Sequence, residues 1–357
     1  MQGMRLVDWS VATATATRLV PPGPRLDLAD AIATVDDLRE LAAEADGHVA
    51  AYTGLPSGEL SSAGDGEPVT VVDRPGWIRS NVAGFADLVD PLLDQVVASR
   101  ARALGPVMTA VGSRATGAEV GVLLAYLATR VLGQFELFGG EEGRLTLVAP
   151  NIVVAERALG VDTRDFRLWV CLHEVTHRTQ FAAAPWLHGH VRTLLADYLG
   201  AGDLDPAAVV ARLRGALRGL VDTARGQGEL SLLELVQTPA QREVLDRITG
   251  LMSLLEGHAD VVMDGVGPVV VPSVGRIRER FEARRTAGGP LDRAVRRLLG
   301  LDLKLKQYAE GATFVRAVVD EIGMTGFNKV WREPDLLPTG QEIRDPQAWL
   351  TRAAPAA

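Results

Sequence analysis

The chain has 357 residues, with 37 Lys plus Arg against 45 Asp plus Glu, a formal charge of −8 and a hydrophobic share of 47%. That share excludes a wholly disordered chain, and the length allows a sizeable core without staples, in about two domains or one large one. Acidity without a long basic run excludes nucleic acid as the main partner. The single cysteine, Cys171, excludes an internal disulfide and fits a reducing compartment.

The N-terminal stretch has no basic run leading into an apolar core, so no secretory signal is expected and the expected location is cytoplasmic. Residues 18–25, with Pro21, Pro22 and Pro24, read as a connector. An amphipathic helix is expected over 27–51, with Leu28, Ile32, Val35, Leu38 and Leu41 at helical spacing. A Gly/Ser/Pro-containing exposed loop is expected over 54–68, and a short β-branched strand over 69–72. Helices follow over 77–97 and 116–138. The most apolar long segment, 120–137, carries Arg130, Gln134 and Glu136, so it reads as a buried helix and no membrane partner is expected. A second strand is expected over 145–148, stopped by Pro150.

Helical periodicity then dominates, over 164–183, 187–199, 206–225, 240–264, 274–284, 290–299 and 303–322. A proline-containing tail, 333–355, is expected to wrap over the surface. The fold class is therefore mainly α with few short strands. The expected organisation is an N-terminal helical extension over 1–110 and a catalytic domain over 111–357, with one continuous unit as the alternative.

The chemistry sits in His173-Glu174-Val175-Thr176-His177, an H-E-x-x-H sequence inside an apolar helical stretch. Residues four apart on a helix differ by about 40° in direction, so both imidazoles share a face at a separation one Zn²⁺ bridges. Imidazole suits zinc, and an open zinc site needs a third protein ligand. Glu174 is placed to take a proton from metal-bound water without ligating the metal. The competing account is two helix histidines with satisfied hydrogen bonds and a salt-bridged glutamate.

A further Gly and His, three and six residues after His177, would complete one known zinc pattern. Gln180 and Ala183 stand there instead. The other source of a third ligand is a later helix, where Leu254-Leu-Glu-Gly-His-Ala-Asp260 places Glu256 and Asp260 four apart on one face. Glu256 is the preferred ligand, with Asp260 accepting a hydrogen bond from the outer nitrogen of His173 or His177. His258 competes with Glu256. It points about 200° away and has no acidic companion on its own face.

The stretches Leu172-His-Glu-Val-Thr-His-Arg-Thr-Gln-Phe181, Leu255-Glu-Gly-His-Ala-Asp260 and Lys306-Gln-Tyr-Ala-Glu-Gly-Ala-Thr-Phe314 resemble the zincin-like metallopeptidase type 2 family. Its members are bacterial, largely actinobacterial, and one branch is named for an association with deazaflavin-coenzyme biosynthesis. The resemblance runs from the first long helix to Trp349. It implies a mostly helical zincin-like fold, a zinc cofactor at His173, His177 and a residue of the Glu256 helix, and hydrolase activity without a named substrate.

Other candidates carry less. Tyr308 has a hydroxyl that suits an oxyanion donor, against an ordinary buried tyrosine. His188 and His190 form a possible second pair, with a packing role preferred, and His48 reads as a helix-end residue. Cys171 reads as core, and the basic run of Arg276, Arg278, Arg280, Arg284 and Arg285 as a solvated helix face. The functional expectation is a zinc-dependent hydrolase acting on a peptide or protein substrate. The alternatives are an inactive zincin-fold scaffold with structural zinc, and a hydrolase of a non-peptide amide.

Overall fold

The computed structural model describes residues 7–56, 69–98, 106–136, 143–201, 238–286 and 301–353. The fold is mainly helical with one small sheet. Helix α1 (Trp9–Leu19), in the Thr/Ala-rich stretch, was not anticipated; its N-terminus is capped by Asp8, which accepts from the amides of Ser10 and Val11. Helix α2 (Leu28–Thr53) is capped by Asp27 and ends at Gly54. Its apolar stripe has two fates. Leu38 and Leu41 are buried, whereas Leu28 and Ile32 stand exposed.

Strands β1 (Val69–Val72), β2 (Gly133–Glu136) and β3 (Arg144–Val148) form one sheet in the order β1-β3-β2. β1 runs parallel to β3, with Val69 opposite Leu145, and β2 runs antiparallel to it, with Gly133 opposite Leu147. Two helices, α3 (Arg74–Ala98) and α4 (Pro106–Leu127), lie between β1 and β2 in the sequence. The helix expected over 116–138 therefore stops at Leu127 and the chain continues into β2. Nor is it uniformly buried, since Val122 and Leu123 are exposed. Four residues are too few to show a period, and pairing with β3 decides the strand. Glu136, in that run, is a buried carboxylate accepting from Ser80 Oγ at 2.6 Å and Thr146 Oγ1 at 2.7 Å.

Pro150 does not simply end β3. It stands in the first turn of an unanticipated helix, α5 (Ala149–Leu159), where a missing amide proton costs nothing. Helices α6 (Thr163–Ala183), α7 (Trp186–Gly200), α8 (Pro239–Val270), α9 (Val274–Thr286) and α10 (Leu301–Phe327) follow. α8 is broken at Gly267, whose φ of 67° only glycine adopts readily, just before Pro268. The helices expected over 206–225 and 290–299 lie outside the described residues, as does loop 57–68.

The tail does not merely drape over the surface. It forms a 3₁₀ turn (Pro334–Leu336) and helices α11 (Gly340–Arg344) and α12 (Pro346–Ala353). Trp349 is fully buried and its indole donates to Leu336 O at 2.8 Å. Thr339 and Glu342 form a reciprocal cap at the start of α11.

The chain divides into two compact units, Met1–Pro185 with Val262–Phe281, and Trp186–Val261 with Glu282–Ala357. In the first, Leu38, Leu41 and Val49 of α2 share a core with Leu145 and Leu147 of β3 and with Phe166 and Leu172 of α6. Three ion pairs also tie α6 to α2: Arg164–Glu44 at 2.7 Å, Arg167–Asp37 at 2.9 Å, and Arg178–Asp46. In the second, α8 and α10 cross at two glycines. A Cβ on Gly257 would overlap the backbone of Gly311 and Ala312, and one on Gly311 would overlap the backbone of Ser253. Only glycine at both positions permits this separation of the two backbones.

Candidate metal centre

α6 starts at Asp162, whose carboxylate accepts from Asp165 N at 2.9 Å, and it buries most of its length. Its hydroxyls need no outside partner, because Thr176 and Thr179 donate to Leu172 O and Val175 O one turn back. The polar side chains that need another account are His173, Glu174, His177 and Gln180.

His173 and His177 meet as the spacing predicts. Their Nε2 atoms stand 3.2 Å apart, with ring centroids at 4.7 Å and planes at 85°. Two nitrogens bound tetrahedrally to one zinc at about 2.0–2.1 Å stand about 3.3 Å apart, so the pair has the spacing of two ligands of one ion. Glu256 on α8 joins them: one ligand atom from each of the three residues falls within a group no more than 4.8 Å across. Two imidazoles and a carboxylate are a donor set of open zinc sites, which leave a position for water or substrate. The donors present thus fit a zinc ion.

His258 goes elsewhere. It is fully buried, stacked on Phe327 at 5.2 Å between ring centroids and 5.4 Å from the Trp331 ring. Asp260 is half-buried on α8, four residues after Glu256. Tyr308 lies on α10, but its side chain is outside the described residues.

Glu174 is buried beside the histidines, against β2. The backbone of Gly133 comes so close that a Cβ there would stand 2.7 Å from Glu174 Cγ and 2.9 Å from its Cδ. Gly133 therefore makes room for the carboxylate, a role hidden while its segment reads as helix. Gln180 is the other residue that the sequence reading passed over. It is fully buried, and its Oε1 lies 3.0 Å from His177 Nδ1. The signal was available, since a buried amide three residues after a ligand histidine shares its helix face.

The remaining candidates have structural surroundings. Cys171 lies in the core with Sγ 3.8 Å from Leu38 O; burial, with Glu174 adding to it, pushes its thiol pKa well up. His188 and His190 lie on α7, with His190 edge-on to Trp186 at 5.8 Å. His48 stands 3.7 Å from Glu44 on α2. In the basic run, Arg278 pairs with Asp264 at 2.8 Å and Arg280 donates to Gly160 O at 2.7 Å. The side chains of Arg284 and Arg285 lie outside the described residues. Among the described residues no helix is long and apolar enough to cross a membrane.

No curated protein matches the chain. It is similar to the crystal structure of "a putative hydrolase with a novel fold" from Chloroflexus aurantiacus, with 32% identity and a TM-score of 0.71, covering 98% of this chain and 100% of that one. A family model for zincin-like metallopeptidases matches residues 7–350, and the chain belongs to that family.

Proposed function

We propose that the protein is a zinc-dependent hydrolase of peptide bonds, held by His173, His177 and Glu256 around the metal and driven by Glu174 as general base. The observation that carries this reading is the convergence of those three donors with a buried carboxylate next to the first of them. Zinc, when bound, supplies Lewis-acid polarisation of a carbonyl and makes water easier to deprotonate. The chain's own residues do the rest. Glu174, fixed against Gly133, accepts the proton of the attacking water and returns it to the leaving amine. Gln180 accepts from Nδ1–H of His177, which leaves the Nε2 lone pair for the metal.

A peptide is the substrate that the sheet favours. Among the described residues β2 is an edge strand, bonded on one side to β3. Its first residue abuts Glu174. An extended peptide adds to such an edge through main-chain hydrogen bonds, and a chain paired with β2 runs past the general base.

Metal analysis of protein purified without added metal, followed by a peptide-library cleavage screen of wild type and Glu174→Gln, tests this. Near-stoichiometric zinc and cleavage that Glu174→Gln removes are expected. Wild type without zinc sinks the metal centre. Zinc with no cleavage of any peptide leaves the scaffold or non-peptide reading in its place.

A further inference from the structure

Three largely buried arginines in the first unit have different surroundings. Arg167 meets Glu156 and Asp37, both at 2.9 Å, and Arg178 meets Asp46. Arg74, the first residue of α3, is 7% exposed and meets only neutral oxygens. Its Nε donates to Asn151 Oδ1 at 2.7 Å, and its Nη1 donates to Pro21 O at 2.8 Å and Pro22 O at 3.0 Å. Among the described residues no carboxylate pairs with it. Burial lowers its pKa. Charges taken out of water are ordinarily paired, so this guanidinium is an exception that calls for an anion.

Arg74 keeps donors that these bonds do not use, and it lines an open space. Five N–H groups belong to a guanidinium and three are used, leaving both on Nη2. That atom is not among the sealed, unpartnered atoms of the structure, and Arg74 lines a cavity of 610 Å³. This size is usual for small-molecule sites. The walls are largely apolar, from Val20, Leu26, Val35, Val71, Pro150 and Val153. The acidic group in the lining, Asp73, is engaged: its Oδ1 accepts from Gly76 N at 2.6 Å. α5 begins at the cavity with Ala149 and Pro150, and no side chain caps it, so its positive end adds to the field of Arg74. Leu19 and Ile32, next in sequence to the lining residues Val20 and Ala31, are exposed.

We propose that this cavity binds a small amphipathic carboxylate, its carboxylate on Nη2 of Arg74 and its apolar body along Val20, Leu26 and Val35. A planar carboxylate matches the remaining guanidinium donors. The apolar walls would leave a free inorganic anion short of hydrogen bonds on its other sides. The site stands apart from the metal donors and does not depend on their role.

Titration calorimetry of the full chain with decanoate, decanol and inorganic phosphate tests it. Decanoate is expected to bind saturably, one per chain, at least about tenfold more tightly than decanol. Arg74→Gln should cost about tenfold or more. Ala31→Trp, which fills the cavity from α2 and leaves Arg74 intact, should abolish binding without changing metal content. Equal binding of decanoate by wild type and Ala31→Trp, or equal affinity for decanoate and decanol, overturns the site. Phosphate binding as tightly as decanoate overturns the amphipathic assignment. Melting curves check the folding of each variant; should Arg74→Gln not fold, Ala31→Trp and the decanol comparison decide.

Discussion

His173 and His177 on α6, and His188 and His190 on α7, are the same residue type on consecutive helices. The first pair is four apart, and its Nε2 atoms face each other at 3.2 Å. The second is two apart, so its rings leave the helix about 200° from each other. Their neighbours differ in sign as well. Glu256 joins the first pair, with Glu174 buried next to it. Burial lowers the pKa of both His188 and His190, and a guanidinium adds to it in each case, Arg192 for the one and Arg247 for the other. Nearby positive charge that disfavours a proton also disfavours a metal cation. Counting histidines therefore says little; helical phase and the sign of the surroundings separate a cation site from ordinary packing.

The sharpest way to break this contrast is to remove one member of each pair. His177→Ala should lower zinc affinity by more than about 100-fold, beyond the range of outer-sphere changes, while His188→Asn with His190→Asn leaves it within about twofold. Chelator competition measures both, and equal losses would erase the distinction. Glu174→Gln should keep zinc and lower peptide hydrolysis by about 10²–10⁴-fold, the range of general-base catalysis, in single-turnover assays.

Gln180→Leu should weaken zinc by about 10–100-fold, and Gln180→Glu, which keeps an acceptor, should restore it. In metal-free protein, nitrogen NMR should find His177 protonated on Nδ1 in wild type and not in Gln180→Leu. The smallest effect concerns α7. A histidine whose folded pKa lies below its ordinary 6.5 gives stability that is complete above that value and lost as pH falls through the folded pKa. The melting temperature of His188→Asn with His190→Asn should thus drop less than that of wild type between pH 7 and pH 5.

Local chemistry was legible in the sequence where one helix carries it alone. The two imidazoles and Glu174 follow from spacing, and Glu256 from an acidic companion four residues on within an apolar helix. Gln180 was not read because its position was inspected for a glycine, and the amide found there was taken as a missing feature. β2 was absorbed into a helix because what makes it a strand is Leu145 and Leu147 across the sheet, not its own four residues. Pro150 was read as a stop although the same residue opens helices. The tail looked like a strap because Trp349 gives no sign of its burial until Leu336 and Phe314 are placed around it.

The glycine crossing of α8 and α10 has a consequence for engineering. Glu256 precedes Gly257 directly, so the height of its carboxylate follows from how deeply the two helices seat. A methyl at Gly257 or Gly311 would push that seat apart and shift Glu256 with it, while changing the identity of no donor. Laboratory selection for a larger or softer ion would find its adjustable dimension at these two positions, as a spacer of variable thickness between the two helices, before it found it among the ligands.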